Sequence, residues 1–180
     1  MTTDPYADAL IRRQQALDEK PGLATLGKRA VRIVNDNASF RSRARRVYQL
    51  ADEMAASLAS YVTCHDGCSH CCYMPTMVYQ HEADMMAIAG QRTAKQLADR
   101  PRSEALESAL AFFGEPCPFL MNNRCSIYAS RPLICRIHHS FNDTTDACDT
   151  RNGKDGEARV VIDPDDLEMP YTALVLNWKR

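Results

Sequence analysis

The 180-residue sequence has no apolar run approaching the roughly 20 residues that a membrane-spanning helix needs. Its opening, MTTDPYADALIRRQQ, puts acids and a proline where a secretory signal would carry a basic cap and an apolar stretch. Positive charge is not in excess either: 22 Lys and Arg against 23 Asp and Glu leave a net charge of -1, so there is no global basic field to draw in nucleic acid. No glycine-rich nucleotide or methyl-donor loop is present, and no nucleophile triad can be picked out. Internal repeats and low-complexity segments are missing too. These absences lead us to expect a cytoplasmic protein with no nucleic-acid or membrane partner, an unspecified protein partner and no assignable catalytic residue. The composition, 45% hydrophobic and 25% charged, is that of an ordinary soluble globular chain with a real core.

Cysteine is what the chain has in quantity. Eight are present, and four of them fall within CHDGCSHCC, Cys64 to Cys72. An even number in a secreted chain would read as a disulfide framework, but a reducing cytosol keeps thiols free. Burial as small hydrophobes explains single cysteines. It does not explain four beside His65, Asp66, Gly67, Ser69 and His70, a polar, turn-prone setting that would make a poor core. A metal is the remaining explanation.

The elements around this loop read as mostly helical. Asp8 to Lys20 carries Leu10, Ile11 and Leu17 among charges and is stopped by Pro21-Gly22, and a shorter helix is expected from Leu23 to Val34. Phe40, Ala44, Val47, Leu50, Met54, Leu58 and Tyr61 recur every three or four residues, which predicts one helix from about Ser39 to Val62 that delivers the chain to Cys64. Arg41, Arg43, Arg45 and Arg46 on its other face read as a solvated surface, since acids follow and no aromatics interleave. YMPTMVYQ is expected to be extended, and HEADMMAIAGQRTAKQLAD helical with Met85, Ile88 and Ala89 inward and Gly90 a kink or break. His81-Glu82 is not a zinc-protease motif, because Met85 stands where the second His would be. SEALESALAFF predicts a helix capped by Ser103. The chain beyond Phe141 is acidic and turn-rich, with a turn at Asn152-Gly153, a short strand from Arg159 to Ile162 and a last helix over Tyr171 to Trp178 that packs back. The expected fold is therefore a small, mostly α domain built around a cysteine-rich metal centre, with short irregular or β segments. Residues 1–62 supply N-terminal helices, 63–140 the metal-binding core, and 141–180 the acidic tail.

A second group of thiols sits in CPFLMNNRCSIYASRPLICRIHHS. Cys117 lies between Pro116 and Pro118, Asn122-Asn123 proposes a turn before Cys125, and SRPLICRI starts a helix with Cys135 about one turn in. Cys148 follows further on. Arg124, Arg131 and Arg136 are near enough in sequence to offset the negative charge of a thiolate-bound ion. In the first loop, Cys68-x-x-Cys71 has the spacing of a chelating pair, with Cys64 one short turn earlier. Adjacent side chains point apart, so Cys71 and Cys72 should serve two metal positions, either two mononuclear sites or different irons of one cluster. His65, His70, His138 and His139 are each open as ligand, outer partner or bystander. CSHCC is not a haem-attachment motif, and a thioredoxin-like role for Cys68 and Cys71 lacks its βαβ setting.

CHDGCSHCC followed by CPFLMNNRCSIYASRPLICR resembles the YkgJ-type cysteine-cluster family of the CxxCxxCC type, to which zinc or iron chelation is ascribed; the likeness runs from about Cys64 to Arg136. Here the first interval, Cys64-x3-Cys68, is longer than the family label. The resemblance implies that Cys64, Cys68, Cys71, Cys72, Cys117, Cys125 and Cys135 are metal ligands. Cys148, outside the matching block, is added to that set last. Some relatives are linked to flagellin lysine methylation, which this short chain gives no sign of sharing. The expected function is thus a cytoplasmic metal-binding protein holding zinc, iron or an iron-sulfur centre, with its downstream role undefined. The alternative is an iron-dependent redox or group-transfer enzyme with His138, His139, His81 or Glu82 near an open metal position; a metal carrier or sensor is a third reading.

Overall fold

A computed structural model describes residues 4–96, 99–152 and 159–178. Among them are seven α-helices and a single two-stranded sheet, so the chain is mostly α as its sequence predicts. None of these helices is long and apolar enough to cross a membrane. The backbone forms two compact units. Unit 1 takes residues 1–63, 136–143 and 159–180, and unit 2 takes 64–135 and 144–158. The stretch read as the tail contributes to both.

Unit 1 is built on α1 (Pro5–Glu19), α2 (Leu26–Val34), α3 (Phe40–Leu58) and α7 (Asp165–Trp178). Helix α1 begins before Asp8 because the Asp4 carboxylate accepts the Tyr6 N–H at 3.0 Å and Pro5 fills the first helical position, where a missing donor does no harm. Ser39 caps α3 by accepting from the Ser42 N–H, and the stripe read from the sequence is its buried face: Ala44, Val47, Leu50, Met54 and Leu58. The helix ends at Leu58 instead of Val62, leaving Tyr61 in the following turn with its hydroxyl donating to Glu19. Part of the arginine surface is spent locally, since Arg43 donates to the Val34 carbonyl at 2.7 Å and Arg46 pairs with Asp36.

Helix α7 packs back on α2 and α3 and begins six residues before Tyr171. Pro170 lies inside it, and a proline early in a helix forfeits one bond without ending the element. Asp165, Asp166 and Glu168 in its first turn complement the helix dipole. The strand expected over Arg159 to Ile162 is not formed. That segment instead spends its backbone on a connector, the Val160 carbonyl accepting from the Phe141 N–H at 2.9 Å and its N–H donating to the Asn142 side chain at 3.0 Å. Each fully buried Leu or Val of unit 1 contributes about 1.5–3 kcal/mol.

Unit 2 is made of shorter pieces: α4 (Gln80–Ala89), α5 (Arg102–Leu110), the hairpin β1 (Leu120–Met121) with β2 (Arg124–Cys125), and α6 (Leu133–Ile137), whose last two residues belong to unit 1. Pro75–Tyr79 forms neither helix nor strand, with extended dihedrals at Met74 and Tyr79. Helix α4 stops at Gly90, so the helix expected through Asp99 is half as long; a Cβ at Gly90 would lie 2.4 Å from the Phe119 ring. Its rotation also differs from expectation. Ala87 and Glu82 are buried, Met85 is half-buried, and Ile88 and Ala89 are exposed. The inward side chain is Glu82, whose carboxylate accepts from the Tyr79 and Leu133 N–H groups. In α5, Pro101 and not Ser103 occupies the cap, and Ser103 falls within the first turn. The turn read at Asn152-Gly153 extends outside the described residues.

Candidate metal centre

The loop after α3 turns first at Gly67, where the Cys68 N–H donates to the His65 carbonyl at 3.1 Å. Gly67 has φ +88°, a left-handed conformation that glycine reaches without steric cost and that this turn position requires. The chain then winds into a 3₁₀ turn over His70–Tyr73, its first bond running from Cys72 N–H to the Ser69 carbonyl at 2.9 Å. Within that turn the Cys71 thiol donates a hydrogen bond to Cys72.

The second group of cysteines meets this turn through the backbone. The Cys117 N–H donates to the Cys72 carbonyl at 2.7 Å, and the Gly114 N–H to the Tyr73 carbonyl at 2.9 Å. Cys117 accepts in turn from the Leu120 N–H, where the hairpin starts. Leu120 pairs with Cys125 in antiparallel register. Asn122 (φ +50°) and Asn123 (φ +59°) form the two-residue turn foreseen from their sequence, both in the left-handed region that asparagine tolerates and that matches strand twist. Ser126 ties the exit from β2 to the Phe119 carbonyl, its N–H and hydroxyl each at 2.9 Å. Cys135 sits in the first turn of α6, its N–H donating to the Pro132 carbonyl.

Electrostatics register the same convergence. Cys71, Cys72, Cys117, Cys125 and Cys135 are close enough for each one's charge to act on others of the group. The hydrogen bond from Cys71 pulls the Cys72 thiol below its ordinary value, and giving that bond, together with burial, pushes Cys71 well above it. Burial and then the neighbouring thiols raise Cys135 to about 12, and burial leads the rise at Cys117. Arg131 opposes the shifts at Cys71 and Cys135, and Arg92 the shift at Cys117. Such a set of thiols resists ionising together unless a cation joins it.

All eight cysteines are reduced thiols. Cys64 and Cys68 are half-buried on either side of the Gly67 turn, and Cys148 is buried in a 3₁₀ turn, Asp146–Cys148, of unit 2. Among the described residues, no three His, Cys, Asp or Glu side chains stand around a common point as an ion would need. The backbones have met, and the sulfurs have not closed.

The polar neighbours divide. His65 is exposed on the turn, and His70 Nδ1 lies 3.8 Å from the Asp149 carboxylate. That carboxylate is held by Arg151, whose bonds bring it down to about 2. His81 stacks on Tyr79, with ring centroids 5.9 Å apart. His138 and His139 belong to unit 1, where His138 Nε2 accepts from Arg159 at 2.7 Å and His139 Nε2 lies 2.9 Å from the Arg136 carbonyl. Of the three arginines expected beside the thiols, Arg131 is there, stacked over Tyr128 at 3.5 Å. Arg124 pairs with Asp66 at 2.9 Å. Arg136 belongs to unit 1, where it reaches both Asp52 oxygens at 2.7 Å and lies over the Tyr48 ring.

Glu82, named from the sequence only as a group near an open metal position, is a buried acceptor of backbone N–H groups. At 2% exposure, its Oε2 accepts the Tyr79 N–H at 3.1 Å and its Oε1 the Leu133 N–H at 2.8 Å. A capping acid three residues into a helix was legible, but its second, long-range bond left no local signal.

A family model described as "CxxCxxCC: Putative zinc- or iron-chelating domain" matches residues 63–152. This span contains all eight cysteines. No curated protein and no solved structure matches the chain.

Proposed function

Because the chain belongs to the CxxCxxCC family, whose ascribed role is zinc or iron chelation, we propose that unit 2 is a cytoplasmic metal-binding module that holds zinc or an iron or iron-sulfur centre through its clustered thiols. The observation that carries this reading is the 2.7 Å bond from the Cys117 N–H to the Cys72 carbonyl, which fastens one cysteine motif to the other at the backbone. Thiolates are soft donors suited to either metal. Cys71, Cys72, Cys117, Cys125 and Cys135 form the heart of the set, with Cys64 and Cys68 from the Gly67 turn and Cys148 from the later segment completing it. When bound, the ion supplies the positive charge that lets these thiols ionise together and cross-links segments remote in sequence.

Arg131 offsets the residual negative charge of a thiolate-rich centre. A reaction at an open iron position has less support, because Glu82, one of the groups it would draw on, has an N–H at each carboxylate oxygen.

The test is metal analysis with a visible spectrum on protein purified without oxygen. Colourless protein carrying zinc, or brown protein carrying iron and acid-labile sulfide, is the expected result and names the metal. Cys71→Ser and Cys125→Ser should each lower the bound metal and loosen unit 2. Unchanged metal content in both variants would remove the two-segment centre.

A further inference from the structure

A glutamate three residues into a helix ordinarily returns one carboxylate oxygen to the cap N–H and leaves the other in water. Glu82 does not. It is 2% exposed, and the oxygen left over from capping α4 accepts the Leu133 N–H, 51 residues away, at the start of the helix that carries Cys135. Removing a carboxylate from water is strongly unfavourable unless charge-assisted hydrogen bonds replace its hydration. Glutamine has the length but only one oxygen, so its amide N–H₂ would face one of the two backbone donors. Aspartate is a methylene too short to span both. The position thus calls for glutamate, and what glutamate does there is fix α6 against the start of α4.

That start is reached from Cys72 through seven residues, and Cys135 lies two residues beyond Leu133. On its other side the Cys135 carbonyl faces Arg131 Nη1 at 3.5 Å, and the Arg131 guanidinium is itself held over Tyr128. We propose that Glu82 is the positioning residue for Cys135, setting where this thiol stands relative to the Cys71-Cys72 turn and so whether it completes the metal centre. The proposal rests on the chelating reading above. It adds a residue that touches no metal and acts only through the backbone of α6.

The experiment is alkylation of the full-length chain with iodoacetamide, with and without bound metal (zinc(II) added to the reduced protein), read cysteine by cysteine by peptide mass spectrometry. In the natural chain, metal should protect Cys71, Cys117 and Cys135 alike. In Glu82→Gln, Cys135 should be alkylated about tenfold faster while Cys71 and Cys117 stay protected, in line with the 10–100-fold weakening typical when an outer partner of a metal ligand is lost. A general destabilisation would expose all three together, and that result, or protection of Cys135 equal to the natural chain, overturns the proposal. Hydrogen exchange on the natural chain needs no variant: the Leu133 amide should be protected more strongly than the preceding 3₁₀ turn, Tyr128–Ser130, and rapid exchange at Leu133 also overturns it. If metal protects no cysteine in the natural chain, the chelating reading itself fails and this proposal with it, a pattern distinct from selective failure at Cys135.

Discussion

In unit 1, long helices close over Leu26, Val47, Leu50, Leu58, Leu167 and Val175, all nearly or fully buried, whereas the buried apolar side chains among the described residues of unit 2 are Ala87, Phe119, Ile127, Pro132, Leu133 and Cys148. The first set belongs to helices of up to 19 residues with a continuous apolar face. The second is scattered: Ala87 lies on a ten-residue helix and Leu133 on a five-residue one, Phe119 and Ile127 flank a hairpin of two-residue strands, and Cys148 ends a 3₁₀ turn. Ordering a residue's backbone costs about 1–2 kcal/mol, and a segment with few buried side chains cannot offset that by hydrophobic burial alone. Small domains in that position use disulfides or a metal. No disulfide joins its cysteines, and the chelating family it belongs to points to the second route.

Removing the metal tests that contrast most severely. Chelator with reductant should release amide protection across residues 64–135 while α2, α3 and α7 keep theirs, as read by hydrogen exchange. The expected loss is the whole of the cooperative stability of unit 2, because binding energy and folding energy are one quantity in such a site. Retained protection in unit 2 after demonstrated metal loss would break the comparison, since its sparse core would then suffice.

A smaller effect should come from the opposite side. Leu50, 1% exposed on α3, sits in the apolar face of unit 1. Leu50→Ala should destabilise unit 1 by about 2–5 kcal/mol, the range for large-to-small changes in a packed core. Urea unfolding followed by far-UV dichroism measures this, with the bound metal per chain measured in parallel. An unchanged metal content with a lowered midpoint sharpens the division; loss of metal in step with the midpoint blurs it.

How far the sequence reveals this division differs between the two units for a physical reason. Helical periodicity is local, so the buried stripe of α3 and the stop at Pro21-Gly22 can be read directly, as can the Asn122-Asn123 turn from its intrinsic φ preference. That the two cysteine motifs meet could also be anticipated, and the Cys117 N–H does reach the Cys72 carbonyl. Long-range polar bonds were not legible. On α4 Ile88 faces solvent while Glu82 is buried, and nothing within α4 announces a partner at Leu133. Arg136 lies one residue from Cys135 in sequence, yet it belongs to unit 1, where its guanidinium is committed to Asp52. Arg159 to Ile162 has the residues of a strand but no neighbouring strand to pair with, and its donors and acceptors go to Phe141 and Asn142 instead.

The finest test uses pH, because acid acts on the two units through different groups. In unit 2, acid protonates thiols and displaces the metal. In unit 1, the responsive group is His138, whose protonation is held down to about 4 by burial first and then by the positive charge of Arg159 and by His139. Its Nε2 accepts from Arg159 at 2.7 Å, so a second proton there would set two cations face to face. An unfolded histidine titrates near 6.5. Between about 6.5 and 4 the unfolded chain binds the proton and the folded one does not, so the contribution to stability is complete above 6.5 and is lost as pH falls through that window. The loss should be modest, roughly 1–3 kcal/mol, since the Arg159 side of the pair is open to solvent. Thermal midpoints measured from pH 7.5 to 4 on metal-free protein should fall for the natural chain and flatten for His138→Gln, which removes the titrating group and keeps an acceptor for Arg159. Parallel curves for the two proteins would assign the acid sensitivity of unit 1 to other groups, and a drop confined to metal-loaded protein would assign it to unit 2.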